Sequence, residues 1–201
     1  MRCLPRVNFT AMKFWLLLAL PLSVLSCKEK EESPDESGTF PVLSFIKSQV
    51  RDVDTSLYTI SKIVTFENRS DTTPLHRSQF RQEAQPFLSL PDITSRKWKD
   101  DYTETKLYDE SLKRVVLFYT AKDPEAPIQR EQVLIDPDKG TSGEVSTIIV
   151  DLYEEKNGGS FHKNLMWEVN HQFMITESLP GPGGSERIRR TRVVWNDFSR
   201  Q

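Results

Sequence analysis

From Tyr102 to Trp195 the chain is written in short runs of β-branched and aromatic residues, each closed by residues suited to tight turns. The runs are Glu104–Tyr108, Val115–Thr120, Ile128–Asp136, Val145–Tyr153, Phe161–Trp167, Phe173–Glu177 and Arg187–Trp195. Between them stand Asp109-Glu-Ser, Asp123-Pro-Glu-Ala-Pro127, Asp136-Pro-Asp-Lys-Gly140, Asn157-Gly-Gly159, Glu168-Val-Asn-His171 and Pro180-Gly-Pro-Gly-Gly184. Glycine, proline, asparagine and aspartate reverse a chain because they accept or pre-set the backbone angles that turns require. A period-two pattern broken at intervals of roughly 8 to 17 residues, with no helical spacing between, predicts an antiparallel meander.

A sheet of that kind needs a cover for at least one face, and the preceding residues supply it. In Phe40–Val53 the apolar residues Leu43, Ile46, Val50 and Val53 fall three and four apart, the spacing of one helix face. A strand is expected over Leu57–Phe66, with Tyr58, Ile60, Lys62, Val64 and Phe66 on one side. A second helix is expected to open at Pro74, with Asp71, Thr72 and Thr73 as capping candidates and Phe80, Ala84, Phe87 and Leu88 as its apolar side. Pro86 should bend it and Pro91 should end it. The expected fold is therefore α+β: a curved antiparallel meander covered on one face by two N-terminal helices, forming a single globular domain over residues 40–201. Phe161, Leu165 and Trp167 share one strand face and are expected to pack beneath the helices.

The amino-terminal region has another character. Phe14–Ser26 is an apolar, leucine-rich run of 13 residues, preceded by Arg2, Arg6 and Lys13 and followed at once by Cys27 and the polar stretch Lys28–Gly38. Spanning a bilayer takes roughly 20 apolar residues, so the run has the length of a signal-peptide core instead. Val24-Leu25-Ser26-Cys27 resembles the lipobox of bacterial lipoprotein precursors. That resemblance implies a signal peptide over residues 1–26, cleavage between Ser26 and Cys27, and palmitate-type acyl chains on Cys27. The start could equally be Met12, which alone opens a compact signal.

Residues 27–39 then form the lipidated cysteine and an acidic tether, since Lys28–Gly38 carries a net charge of minus three and no aromatic residue. The order of parts also resembles envelope lipoproteins of Bacteroidota: lipobox, tether, a helix at Phe40-Pro-Val-Leu-Ser-Phe-Ile-Lys, a strand, a helix, then hairpins ending in Val194-Trp-Asn-Asp-Phe198. By that resemblance the protein is exported and held in a lipid bilayer through Cys27. The absence of aspartate directly after Cys27 implies the outer membrane over the inner.

Removal of the first 26 residues would take away three basic residues and no acid, leaving 24 Lys+Arg against 29 Asp+Glu. A net charge of minus five gives no bulk drive toward nucleic acid or anionic lipid. Both cysteines, Cys3 and Cys27, lie before the globular part, so disulfides and cysteine metal sites are excluded from it.

Chemistry-bearing patterns are sparse. His76, His162 and His171 show no metal-ligand spacing, and Asp136-x-Asp138 lacks the later ligands of a calcium loop. No Gly-x-Ser-x-Gly elbow occurs, and neither Gly140-Thr-Ser-Gly143 nor Gly181-Pro-Gly-Gly184 precedes a Lys-Ser/Thr pair. Asp100-Asp101 and Glu154-Glu155 are adjacent in sequence, so a strand would send each pair to opposite faces. No catalytic residue, cofactor or metal is therefore assigned.

One basic cluster stands out. Arg187, Arg189, Arg190 and Arg192 alternate across two faces of one run, at most two on each side. They read either as a charged strand end that pairs with neighbouring acids and discourages edge pairing, or as a contact for lipid headgroups or an acidic partner. Trp98, Tyr102, Phe161, Trp167 and Phe173 are core candidates that could otherwise line a ligand cavity. The function expected is a non-enzymatic binding or assembly domain with an envelope protein as a possible partner. The alternatives are a carrier of apolar or acyl ligands and a carboxylate-dependent hydrolase.

Overall fold

The computed structural model describes residues 39–156, 159–181, 183 and 185–196; the expected signal peptide, the Ser26–Cys27 bond and the tether up to Gly38 lie outside the described residues. The order of elements is α1 (Val42–Thr55), β1 (Ile60–Phe66), β2 (Arg69–Leu75), α2 (Arg77–Glu83), α3 (Gln85–Leu88), β3 (Tyr102–Asp109), β4 (Arg114–Ala121), β5 (Ile128–Asp136), β6 (Glu144–Lys156), β7 (Gly159–Glu168), β8 (Gln172–Pro180) and β9 (Glu186–Val194), with one 3-10 turn at Lys99–Asp101. The fold is α+β, as the strand rhythm and the helical spacing imply.

All nine strands form one antiparallel sheet in the order β2-β1-β9-β8-β7-β6-β5-β4-β3. Strands β3 to β9 run as a meander, and the β1–β2 hairpin joins it by pairing β1 with β9, Lys62 opposite Val193. Two register shifts between β5 and β6 each insert a residue, one in β5 between Ile128 and Arg130 and one in β6 at Ser146, opposite Leu134/Ile135. Such bulges bend a strand and add local twist, which lets an open sheet of this width curve around its helices.

The helix expected at Pro74 begins later. Residues 69–75 are the edge strand β2, with Pro74 opposite Ser61, so Asp71, Thr72 and Thr73 cap nothing. An edge strand tolerates proline because one row of its N–H groups has no ladder partner to serve. Helix α2 starts after His76, whose ring accepts from the Ser78 N–H at 3.3 Å while the Gln79 side chain accepts from the His76 N–H at 3.3 Å. Reciprocal capping of this kind satisfies two otherwise orphaned donors. Pro86 does interrupt the helix, dividing it into α2 and α3, and the apolar side Phe80, Ala84 and Phe87 survives the break fully buried.

In α1 the buried face is Val42, Ile46, Val50 and Val53. Val42 takes the place expected of Leu43 because it stands one turn before Ile46, whereas Leu43 is only partly covered.

The core lies between the three helices and one face of the sheet. At its centre Trp167 on β7 stacks on Phe173 of β8, ring centres 5.4 Å apart and planes 19° apart. Phe80 of α2 and Phe87 of α3 meet Trp167 edge-on at 6.4 and 5.2 Å, and Trp195, just past β9, closes the group at 5.2 Å. Offset and edge-to-face contacts of this kind add about 0.5–1.5 kcal/mol per pair beyond the area they bury. The indole Nε1 of Trp167 has no acceptor, so the residue contributes through packing alone.

Trp167→Ala should therefore remove about 3 to 5 kcal/mol from a total stability of about 5 to 15 kcal/mol. Urea denaturation followed by far-UV circular dichroism measures it; a midpoint equal to the wild type would contradict a structural role for this ring.

Candidate functional site

Among the described residues, two open clefts are found on the helix side of the sheet. The first, about 500 Å³, runs between α3 and strands β6 and β7, lined by Pro86, Ser89, Leu90, Leu152 and Lys163 among others. The second, about 710 Å³, lies where the end of α1 and the start of α2 meet the β1–β2 hairpin, with Asp54, Tyr58, His76 and Arg81 on its wall. An acyl carrier needs a continuous apolar lining, yet the first cleft interleaves its leucine and proline surface with Gln85, Ser89 and Lys163. A carboxylate-dependent hydrolase needs two facing acids; among the described residues the first cleft has none in its lining and the second has only Asp54, which accepts from Arg81 at 2.6 Å.

Among the described residues, the most perturbed titratable group lies inside the core instead. Glu131 of β5 stands opposite Tyr119 of β4 and Val150 of β6, is 2% exposed, and its Oε1 has no hydrogen-bond partner. Burial, and secondarily the nearby Asp92, pushes its carboxyl from 4.5 up to about 8, so at neutral pH it carries its proton.

Two tyrosines share this environment. Tyr102 donates to the carbonyl of Ile128 at 3.0 Å and is raised to about 12 by burial, then by Glu131 and Asp101. Tyr119 accepts from the Phe40 N–H at 2.9 Å; burial outweighs that bond and raises it to about 12 as well. Glu131 lines neither cleft, and its neighbours hold the chain leading into α1 and the bulged start of β5. The sequence carries a faint signal for it: Glu131 alternates with Val133 and Ile135, an acid in an otherwise apolar inward series.

The sign of its contribution follows from linkage. A carboxyl raised from 4.5 to about 8 binds a proton in the folded state that the unfolded chain has already released across that window. Stability should fall as pH rises through it, by at most about 1.4 kcal/mol per pH unit, and level off above. Glu131→Gln should abolish this slope and be the more stable form near pH 8. Urea midpoints of both proteins between about pH 5 and pH 8 test it; parallel pH dependences would refute it.

The histidines and the Asp136 turn are part of local structure. His76 caps α2, His171 Nδ1 lies 2.6 Å from the carbonyl oxygen of Asn196, and His162 is exposed beside Tyr153. Asp136 accepts from the Asp138 N–H at 3.2 Å and pairs with Arg114 at 3.1 Å, which holds the hairpin turn. Among the described residues no group of three or more His, Cys, Asp and Glu side chains is placed to hold a metal ion. Of the aromatic candidates, Trp167 and Phe173 are fully buried, Tyr102 is buried and Trp98 packs against the core, while the side chain of Phe161 lies outside the described residues.

The four arginines divide as their spacing implies, two to each face of β9. β9 is not a free strand end or edge: it lies between β1 and β8, so its charges do not serve to block edge pairing. On the helix side Arg187 and Arg189 lie over the Phe66 ring at 5.2 and 5.5 Å, and Arg187 reaches Glu67 at 3.7 Å. On the other side Arg190 stands between Thr65 and Thr176, and Arg192 between Ile63 and Met174. Both are exposed, and among the described residues neither has an ion-pair or hydrogen-bond partner.

None of the described helices packs on that second face. Across it, in register with Arg192, run Met174, Met166, Ile149, Gln132 and Phe118, all partly exposed. The acids on this face are engaged: Asp151 accepts from Arg130 at 2.9 Å and from Asn164 at 2.7 Å, Glu186 of β9 accepts from the Ser178 hydroxyl, and Glu168 of β7 has a partner of its own. This surface can offer two unpaired guanidinium groups and a methionine-rich floor to a partner. No protein-family model, curated protein or solved structure matches the chain.

Proposed function

We propose that this protein is an exported lipoprotein, held in the bacterial envelope by acyl chains on Cys27, whose globular domain binds an envelope component and performs no catalysis. The observation that carries the reading is Val24-Leu25-Ser26-Cys27 placed directly after a short leucine-rich core with a basic flank. Each buried methylene contributes about 0.8 kcal/mol, and stable attachment takes two acyl chains or an equivalent second signal, so a diacylated Cys27 would keep the domain at its membrane. The outer membrane is the favoured address, on the resemblance already described.

The domain's geometry supports binding over catalysis. Among the described residues the one strongly perturbed carboxyl is sealed in the core, the clefts lack facing acids, and the sheet face away from the described helices presents Arg190, Arg192 and a row of partly exposed apolar side chains.

Mass spectrometry of the protein extracted from membranes tests the anchor. The expected mass is that of the Cys27–Gln201 polypeptide plus glycerol and at least two acyl chains, and Cys27→Ala should release the protein from the membrane fraction. An unmodified Cys27 thiol, or a mature end elsewhere, would overturn the proposal.

A further inference from the structure

We infer that the uncovered face of the sheet, around Arg190 and Arg192, docks onto anionic phospholipid headgroups of the membrane that holds Cys27. The inference deepens the lipoprotein reading and rests on it. Arg190 and Arg192 sit two residues apart on β9, so both guanidinium groups leave the same face about 7 Å apart at the backbone. Their cross-strand neighbours are Thr65, Thr176, Ile63 and Met174, none of them acidic. Exposed and unpartnered arginines are suited to phosphate, because the guanidinium fork matches two phosphate oxygens at once.

The neighbouring apolar surface fits the same partner. Met174 and Met166 face each other across β8 and β7, partly exposed and flanking the arginines, so the patch pairs cationic groups with side chains able to enter the headgroup boundary.

The chain upstream of the domain adds a constraint of reach. The 11 residues Lys28–Gly38 span at most about 40 Å when fully extended. Thr39, where the described chain begins, contacts Glu104 of β3 at the sheet edge. From β3 to β9 is six strand spacings, about 29 Å, so an anchored chain could lie with this face on the bilayer. The acidic balance of the mature chain does not prevent it, because screening over about 8 Å at physiological salt makes the local patch decide. An acidic protein could use the same arginines, but the anchor keeps lipid headgroups constantly within range.

The test uses the full lipidated protein reconstituted in vesicles of phosphatidylcholine alone or of phosphatidylcholine mixed equally with phosphatidylglycerol. Peroxide oxidation of Met166 and Met174, read by peptide mass, reports whether the face is covered, and co-flotation reports the anchor separately. Oxidation should be slower in the anionic vesicles, and the protection should disappear at high salt. Each arginine near an anionic leaflet is worth about a fivefold population shift, so Arg190→Glu with Arg192→Glu should lower the docked-to-free ratio by about thirtyfold or more, while Arg190→Lys with Arg192→Lys should largely preserve it.

Unchanged thermal midpoints verify that the variants fold. Equal oxidation in both vesicle types with the protein still floating would overturn the docking inference and leave the lipoprotein reading intact. Protection seen in native envelope but in neither vesicle would assign the face to a protein partner and equally overturn it. Failure to float would count against the anchor itself.

Discussion

The contact between Trp167 and the rings around it is the interaction on which the rest of the structure depends. Phe173 comes from β8, Trp195 from the end of β9, Phe80 from α2 and Phe87 from α3, so four separate elements converge on one indole. Isolated helices as short as α2 and α3 have no stability of their own in water. They exist because their phenylalanines enter this cluster, and the cluster exists because β7, β8 and β9 are neighbours in the sheet. Helices docked there cover that face and leave the opposite one open.

Glu131 shows what such a core tolerates. An ionised carboxylate without a partner would cost several kcal/mol in that environment, so the group keeps its proton and the penalty appears as a raised pKa. It stands at the bulge in β5, where an extra residue lets Ile128 and Glu131 both face inward. The same bend brings the Ile128 carbonyl to the Tyr102 hydroxyl. The acid is thus tied to the curvature of the sheet, and it lies apart from both clefts and from the arginine face.

One-sided cover gives the proposed function its physical basis. A sheet face that keeps two unpaired arginines among methionines, isoleucine and phenylalanine is partly desolvated before any partner arrives, and methionine and arginine are residues enriched where proteins make contacts. The proposed anchor at Cys27 would turn weak affinity on that face into lasting association, since a tethered surface meets its membrane at high local concentration.

Much of this protein is legible from local pattern. The period-two runs after Tyr102, the turn residues between them and the apolar stripe of α1 report β and α structure because each depends on neighbours within one or two turns of chain. The resemblance to a lipobox is equally local, a matter of four residues and their flanks. Where the reading failed, the deciding partner was distant in sequence. Pro74 looks like a helix start until β1 pairs with residues 69–75 and makes an edge strand of them. The arginine run looks like a strand end until β1, more than 120 residues earlier, pairs along β9 and makes it interior. Local chemistry determined that Arg190 and Arg192 share a face, because side chains alternate along any strand. Only the tertiary structure decided that this face is the one the helices leave bare, because that depends on which side the rings of α2 and α3 find Trp167.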